Sequence, residues 1–141
     1  VTYDCPYPES YQQTQDYYDN SDSFTDDQKL TLSVLLAHHY ICDGKAKKAE
    51  EIISTNIETL MVDKASEMYI RAQYALGLAY DFQEKNERCD IYLRTRELSE
   101  GKYVDVNVSS QLGYFTYCDP DISNFERLES VYIYKICFQY L

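Results

Sequence analysis

Residues 68–82 read MYIRAQYALGLAYDF, and their apolar side chains recur at spacings of three and four. This period places them on one face of an α-helix, because a helix turns once every 3.6 residues. Small residues alternate with large ones on that face, so a second helix can approach closely beside Gly77. The stretch therefore predicts a packed helix of an all-α fold, with an inward stripe of Met68, Tyr69, Ala72, Ala75, Leu76, Ala79 and Tyr80.

A preceding helix is predicted between two sequence signals. Thr25 and Gln28 have the spacing of a capping box, in which each side chain bonds the backbone amide of the other residue. The helix runs to about Cys42, and Gly44 provides its stop. Its apolar residues cover nearly the whole circumference, so we expect other elements to cover it on more than one side. These residues are Leu30, Leu32, Val34, Leu35, Leu36, Ala37, Tyr40 and Ile41.

The remaining helices are predicted from the same period. One begins near Lys45, Asp63 is expected to cap the next, and another runs over about 86–99. Residues 103–108 alternate like a strand, but the sequence offers no second strand to pair with them. We therefore interpret them as a linker into a helix over about 107–117. A second capping box at Ser123 opens a last helix, which stops on apolar residues; we interpret the chain as a piece of a longer one.

Residues 1–24 form an acidic, Tyr-rich arm that differs from the rest of the chain. Lys and Arg are absent before residue 29, and Pro6 and Pro8 interrupt any early helix. We therefore predict an irregular segment, disordered or extended by itself. Three roles stay open: a solvating tail, a segment whose tyrosines fill grooves between helices, or a peptide phosphorylated at Tyr17 and Tyr18.

The overall charge excludes several classes of partner. The chain has 141 residues with 24 acidic and 13 basic side chains, which gives a net charge of -11. Such a surface repels the phosphates of nucleic acids and of anionic lipids. No apolar run approaches the length of a membrane span. We expect no nucleic-acid and no membrane partner.

An internal repeat appears when the chain is shifted by 40 residues. The helix that precedes Gly44 then aligns with the helix over 68–82, and the two following helices also align. The sequence identity between the aligned segments is low, but small residues align with small ones and large residues align with large ones. The aligned pairs are Leu36 with Leu76, Ala37 with Gly77, Tyr40 with Tyr80, Lys45 with Lys85, Ala49 with Cys89 and Ile53 with Leu93.

Residues 76–80, LGLAY, resemble the L-G-x-x-Y motif of the tetratricopeptide repeat (TPR), with Cys89 and Leu93 where that family places a small and a large residue. The period of 40 departs from the family's 34, and no Trp opens a unit. The resemblance implies antiparallel helix pairs stacked as a short α-solenoid over residues 25–141. The pairs would span about 26–60, 64–99 and 107–141. Another α-solenoid or an irregular bundle stays open.

The resemblance further implies a protein-interaction module or scaffold segment, whose groove is lined by the first helix of each pair. A domain of this charge should prefer a basic or apolar peptide or protein segment. The alternative is a structural segment that buries its faces in its own chain or in a homo-oligomer, with self-association through the C-terminal helix. The groove positions carried over are Thr31, Val34, His38, Ile41 and Cys42, followed by Arg71, Tyr74, Leu78, Asp81 and Phe82.

Catalytic and metal chemistry have little support in the sequence. His38 and Cys42 are four apart, a spacing that suits two zinc ligands, and Glu67 or Asp81 could add others. Two ligands do not make a site, so we predict no metal and no cofactor. The sequence lacks a nucleophile turn and paired carboxylates in an apolar setting, so we predict no enzyme. The five cysteines are interpreted as reduced, buried residues of an intracellular protein, cytoplasmic or nuclear.

Overall fold

The computed structural model describes residues 8–119, with side chains from Ser10 onward, and the regular structure of this part is entirely helical. The all-α prediction is therefore confirmed for these residues. The last predicted helix and its Ser123 capping box lie outside them. The helices are α1 (Pro8–Asp19), α2 (Asp26–Cys42), α3 (Ala46–Thr59), α4 (Glu67–Asp81), α5 (Arg88–Ser99) and α6 (Val104–Tyr117), with a short 3-10 turn at Ser21–Ser23 between α1 and α2.

The predicted irregular arm is wrong over residues 8–19, which form α1. Proline breaks a helix interior, but Pro8 is the first residue of α1, where its missing N–H has no partner to lose. The Tyr11 ring packs edge-on against His39 with centroids 5.3 Å apart. Asn56 Nδ2 donates a hydrogen bond of 3.0 Å to the Tyr18 hydroxyl oxygen. The interpretation in which tyrosines of this segment pack between helices is thus supported for Tyr11 and Tyr18.

Two of the three predicted caps lie within the described residues, and they have different outcomes. The capping box at Thr25 is confirmed: the Gln28 amide donates to Thr25 Oγ1 at 3.2 Å, and the Thr25 amide donates to Gln28 Oε1 at 2.9 Å. The cap predicted at Asp63 is wrong, because Ser66 precedes α4 and its Oγ accepts from the Tyr69 amide at 3.2 Å. Asp63 instead accepts from an amide two residues further on, in a turn that delays the start of the helix.

The predicted linker at residues 103–108 is also wrong, because α6 begins at Val104. Val106 is buried whereas Val104 is exposed. A helix satisfies the backbone of this segment internally, which a lone strand could not do. The alternation of valines with polar residues at 103–108 therefore does not indicate an extended segment, because these residues start a helix.

Consecutive helices pack against each other, and alternate helices also touch. α2 contacts α1, α3 and α4, which confirms that it is covered on more than one side, and α4 further contacts α5 and α6. One cluster of buried residues from α2, α3 and α4, here called the aliphatic core, fills the space between these three helices. Its members are Leu30, Val34, Ala37, Ile41, Ala49, Ile53, Tyr69, Ala72, Ala75, Leu76, Leu78 and Ala79.

The turn between α2 and α3 and the turn between α4 and α5 share two backbone features, 40 residues apart. In each, a lysine amide donates to the carbonyl oxygen of the tyrosine five positions earlier, at 2.7 Å for Lys45 and 3.0 Å for Lys85. The residue before each lysine has a positive φ, 74° at Gly44 and 56° at Glu84. The offset found in the sequence therefore holds at these turns.

One aromatic ring of α5, that of Tyr92, is buried between α4 and α6. A Cβ added at Gly77 would lie 2.9 Å from Tyr92 Cε1, and one added at Gly113 would lie 2.6 Å from Tyr92 Cε2. These two atoms are on opposite edges of the ring, so Tyr92 is held between a glycine of α4 and a glycine of α6. The predicted packing role of Gly77 is confirmed, and we call this arrangement the Tyr92 seam.

Candidate partner-binding face

Three of the ten groove positions lie in the aliphatic core. The side chains of Val34, Ile41 and Leu78 are buried between helices. They stabilise the packing of α2 against α3 and α4, and they do not present a surface to a partner. The other seven positions are at least partly exposed.

On α2, the partly exposed positions form one stripe. Thr31, His38 and Cys42 lie seven and four residues apart, and the spacing of the stripe also includes Leu35. Leu35 is 46% exposed, although its apolar character placed it among the residues predicted to need cover. Its position four residues after Thr31 and three before His38 was the signal that could have identified it.

On α4, Arg71 is engaged with other parts of the structure. Its guanidinium bonds Asp105 of α6 at 2.8 Å and Glu67, one turn earlier, at 3.0 Å. The hydrogen bond from Arg71 holds the pKa of Asp105 below its usual value, against a smaller opposing effect of burial. Arg71 thus connects α4 to the start of α6, which a sequence alignment of repeats does not reveal.

Asp81 has a similar structural engagement. Its Oδ2 accepts from the Tyr92 hydroxyl at 2.9 Å, and its Oδ1 lies 3.2 Å from Arg88 Nη1. Burial raises the pKa of Asp81, and the bonds from Tyr92 and Arg88 oppose that rise. Burial, followed by the charge of Asp81, raises the pKa of Tyr92. The Arg88 guanidinium also lies 4.6 Å from the centre of the Tyr117 ring.

The two aromatic groove positions differ in their surroundings. Tyr74 is half-buried, and its ring centroid lies 6.2 Å from that of Tyr92. Phe82 caps α4 and is 50% exposed. Tyr74 therefore borders the Tyr92 seam, whereas Phe82 contributes apolar surface at the end of α4.

The histidines of α2 are in an environment that disfavours charge. Burial lowers the pKa of His38, and the neighbouring His39 lowers it further. Burial alone lowers the pKa of His39. Within the described residues, no three His, Cys, Asp or Glu side chains are grouped so that they could hold a metal ion.

A disulfide that the sequence did not indicate joins Cys89 and Cys118, with an Sγ–Sγ distance of 2.06 Å. The interpretation of the cysteines as reduced is therefore wrong for this pair. Cys89 lies in the first turn of α5 and Cys118 follows the last residue of α6. A spacing of 29 residues carries no signal by itself, because the pairing depends on how α6 folds back along α5.

The comparisons with known proteins give no relative: no family model, curated protein or solved structure matches the chain. None of the helices within residues 8–119 combines the length and the apolar character that crossing a membrane requires.

Proposed function

We propose that this chain is a TPR-like helical-repeat module that binds a segment of another protein. The observation that carries the proposal is the pair of equivalent turns 40 residues apart, at Gly44 and at Glu84. These turns support a reading of α2 and α4 as the corresponding helices of two successive helix pairs. The contact between these alternate helices supports a stack, because neighbouring units of a solenoid pack in this way.

The binding surface in this proposal is the outward stripe of α2, continued on the outer side of α4. Leu35 is its exposed apolar centre. The polar positions Thr31 and His38 flank it, and Phe82 adds apolar area at the end of α4. Exposed apolar residues rimmed by polar ones are typical of protein-interaction sites.

The preferred partner is a basic segment that also carries apolar side chains. Acidic groups outnumber basic ones by 24 to 13 in the whole chain, so long-range attraction favours a cationic ligand. Salt should weaken this attraction, because charges on a surface are screened over about 8 Å at physiological ionic strength.

An array of synthetic peptides with systematically varied charge and hydrophobicity tests the proposal. We expect the protein to retain peptides that combine Lys or Arg with apolar residues, and to retain fewer at 500 mM than at 50 mM salt. The Leu35→Glu variant should no longer retain these peptides. The matched control is Thr55→Glu, which adds the same charge at an exposed position of α3. Equal losses in both variants, or no enriched class of peptide, would contradict the proposal.

The intracellular location predicted from the sequence is compatible with the Cys89–Cys118 bond under one condition. Disulfides are rare in the cytosol and nucleus except where they open and close as part of a function. An intracellular interaction module would therefore carry this bond as a reversible one.

A further inference from the structure

We propose that the Cys89–Cys118 disulfide is a redox-sensitive latch that holds α6 against α5, and that a dithiol reductant opens it. The bond joins the start of α5 to the end of α6, while the short loop at Glu100–Tyr103 joins the other ends of these helices. The two helices are thus connected at both ends. Breaking the disulfide removes the covalent connection between the start of α5 and the end of α6.

α6 buries fewer apolar side chains than the helices that form the aliphatic core. Val106 is its buried aliphatic residue, and its other buried side chains are Ser109 and Ser110. The hydroxyl of Ser110 is buried without a hydrogen-bond partner, which costs stability. Small and polar side chains bury little apolar area, so α6 depends on its connections more than α2 or α4 does.

Other contacts next to the disulfide also depend on the position of α6. Arg88 precedes Cys89, Tyr117 precedes Cys118, and the Arg88 guanidinium lies over the Tyr117 ring. Both cysteines are partly exposed, so a small dithiol can reach the bond. When the end of α6 moves away, the Arg88–Tyr117 contact is lost and the edge of Tyr92 beside Gly113 is uncovered.

The reaction is thiol–disulfide exchange. A thiolate of the reductant attacks one protein sulfur, the Sγ–Sγ bond breaks, and a mixed disulfide forms with release of the other cysteine as a thiolate that takes up a proton. The second thiol of the reductant then resolves the mixed disulfide. Two electrons and two protons pass from the dithiol to Cys89 and Cys118, and the reductant becomes a cyclic disulfide.

Amide hydrogen exchange of the full chain, with and without dithiothreitol, tests the latch. We expect exchange in residues 104–117 to become at least ~10-fold faster on reduction, whereas exchange in α2 and α3 changes by less than about 2-fold. Reoxidation should restore the slow exchange. Unchanged exchange in α6 would overturn the proposal, and so would a similar increase throughout the chain, since the bond would then stabilise the whole fold.

Two variants distinguish the effect of reducing the Cys89–Cys118 disulfide from an effect of dithiothreitol at Cys42. Cys42→Ser should respond to dithiothreitol as the wild-type protein does. Cys89→Ser combined with Cys118→Ser should exchange rapidly in α6 under both conditions while α2 and α3 remain protected. If circular dichroism shows that this double variant, or the reduced wild-type protein, has lost its helices, the opening is global and the latch is refuted.

Discussion

In both halves of the described structure, α2–α4 and α4–α6, consecutive helices pack against each other, but the two halves differ in what fills the space between the helices. The first half is filled by the aliphatic core, in which most members are Ala, Val, Leu or Ile. The second half is filled by the Tyr92 ring, by small hydroxyl side chains and by a disulfide. Helices can therefore be stacked either by many interchangeable contacts or by a few specific ones.

The buried hydroxyl side chains of α5 are satisfied within their own helix. Thr95 Oγ1 donates to the Ile91 carbonyl oxygen at 2.7 Å, and Ser99 Oγ donates to the Thr95 carbonyl oxygen at 2.6 Å. Such bonds allow burial, but they do not join α5 to another helix. The contacts that join α4, α5 and α6 include Tyr92, the ion pair from Arg71 to Asp105, the Arg88–Tyr117 contact and the disulfide.

The largest effect is expected for Tyr92→Ala. Removal of a buried aromatic ring leaves a cavity between Gly77 and Gly113, and typically costs about 3–5 kcal/mol of unfolding free energy. Tyr92→Phe keeps the ring and removes the hydrogen bond to Asp81, which should cost about 1–3 kcal/mol. Chemical denaturation measures both. A loss below about 1 kcal/mol for Tyr92→Ala would show that the seam does not depend on the ring.

Gly77→Leu should be the next most destabilising change. Its Cβ would meet Tyr92 and Ile91, and Tyr92 cannot move away because Gly113 backs its other edge. Forcing such a side chain into a packed site costs typically about 1–3 kcal/mol. Glu84→Leu is the control, since it replaces one exposed non-glycine residue by another and should change the free energy of unfolding by less than about 0.5 kcal/mol. Similar losses of unfolding free energy in the two variants would show that Gly77 does not lie in a packing interface.

Because the two turns share a positive φ, adding a side chain at Gly44 and removing the side chain at Glu84 should change the free energy of unfolding in opposite directions. Gly44→Ala places a side chain at φ 74°, which should destabilise the protein by about 1 kcal/mol. Glu84→Gly relieves the same strain, partly offset by the greater entropy of glycine in the unfolded chain, so it should be neutral or stabilising by up to ~1 kcal/mol. Thermal and denaturant unfolding of both variants tests this. A loss of stability in Glu84→Gly would contradict the equivalence.

The smallest effect concerns pH. The pKa values of His38 and His39 lie below 6.5, the value for an unperturbed histidine, so between the folded pKa and 6.5 the unfolded state binds more protons. Their contribution to stability is therefore fully present above pH 6.5 and is lost as pH falls through that window. His38→Gln with His39→Gln should flatten the rise in unfolding free energy between pH 5 and pH 7.5. An unchanged slope would exclude the histidines as its source.

The sequence predicted those features that depend on local chemistry or on period. The capping box at Thr25, the stop at Gly44 and the packing role of Gly77 all follow from residue type and spacing. Features that depend on chain contacts far apart in sequence were missed. α1 is stabilised by packing on α2, and the partner of Cys89 is brought close by the fold of α6.

The candidate site was less predictable than the fold. Alignment by helical spacing placed Val34 on a groove that the core occupies, and it gave no sign that Asp81 bonds Tyr92. Leu35, the exposed residue at the centre of the α2 stripe, was grouped with the buried ones. Helical period alone does not distinguish a face covered by a neighbouring helix from one left open.

A double-mutant cycle at Gly113 and Tyr92 tests the central claim most directly, that one ring held between two glycines joins α4 to α6. In the wild-type background Gly113→Ala should destabilise the protein by about 1–3 kcal/mol, because the added Cβ would lie 2.6 Å from the ring. In a Tyr92→Leu background the same change should be neutral or stabilising by up to ~1 kcal/mol, because alanine favours helix and the flexible side chain can give way. Equal effects of Gly113→Ala in the two backgrounds would contradict the claim.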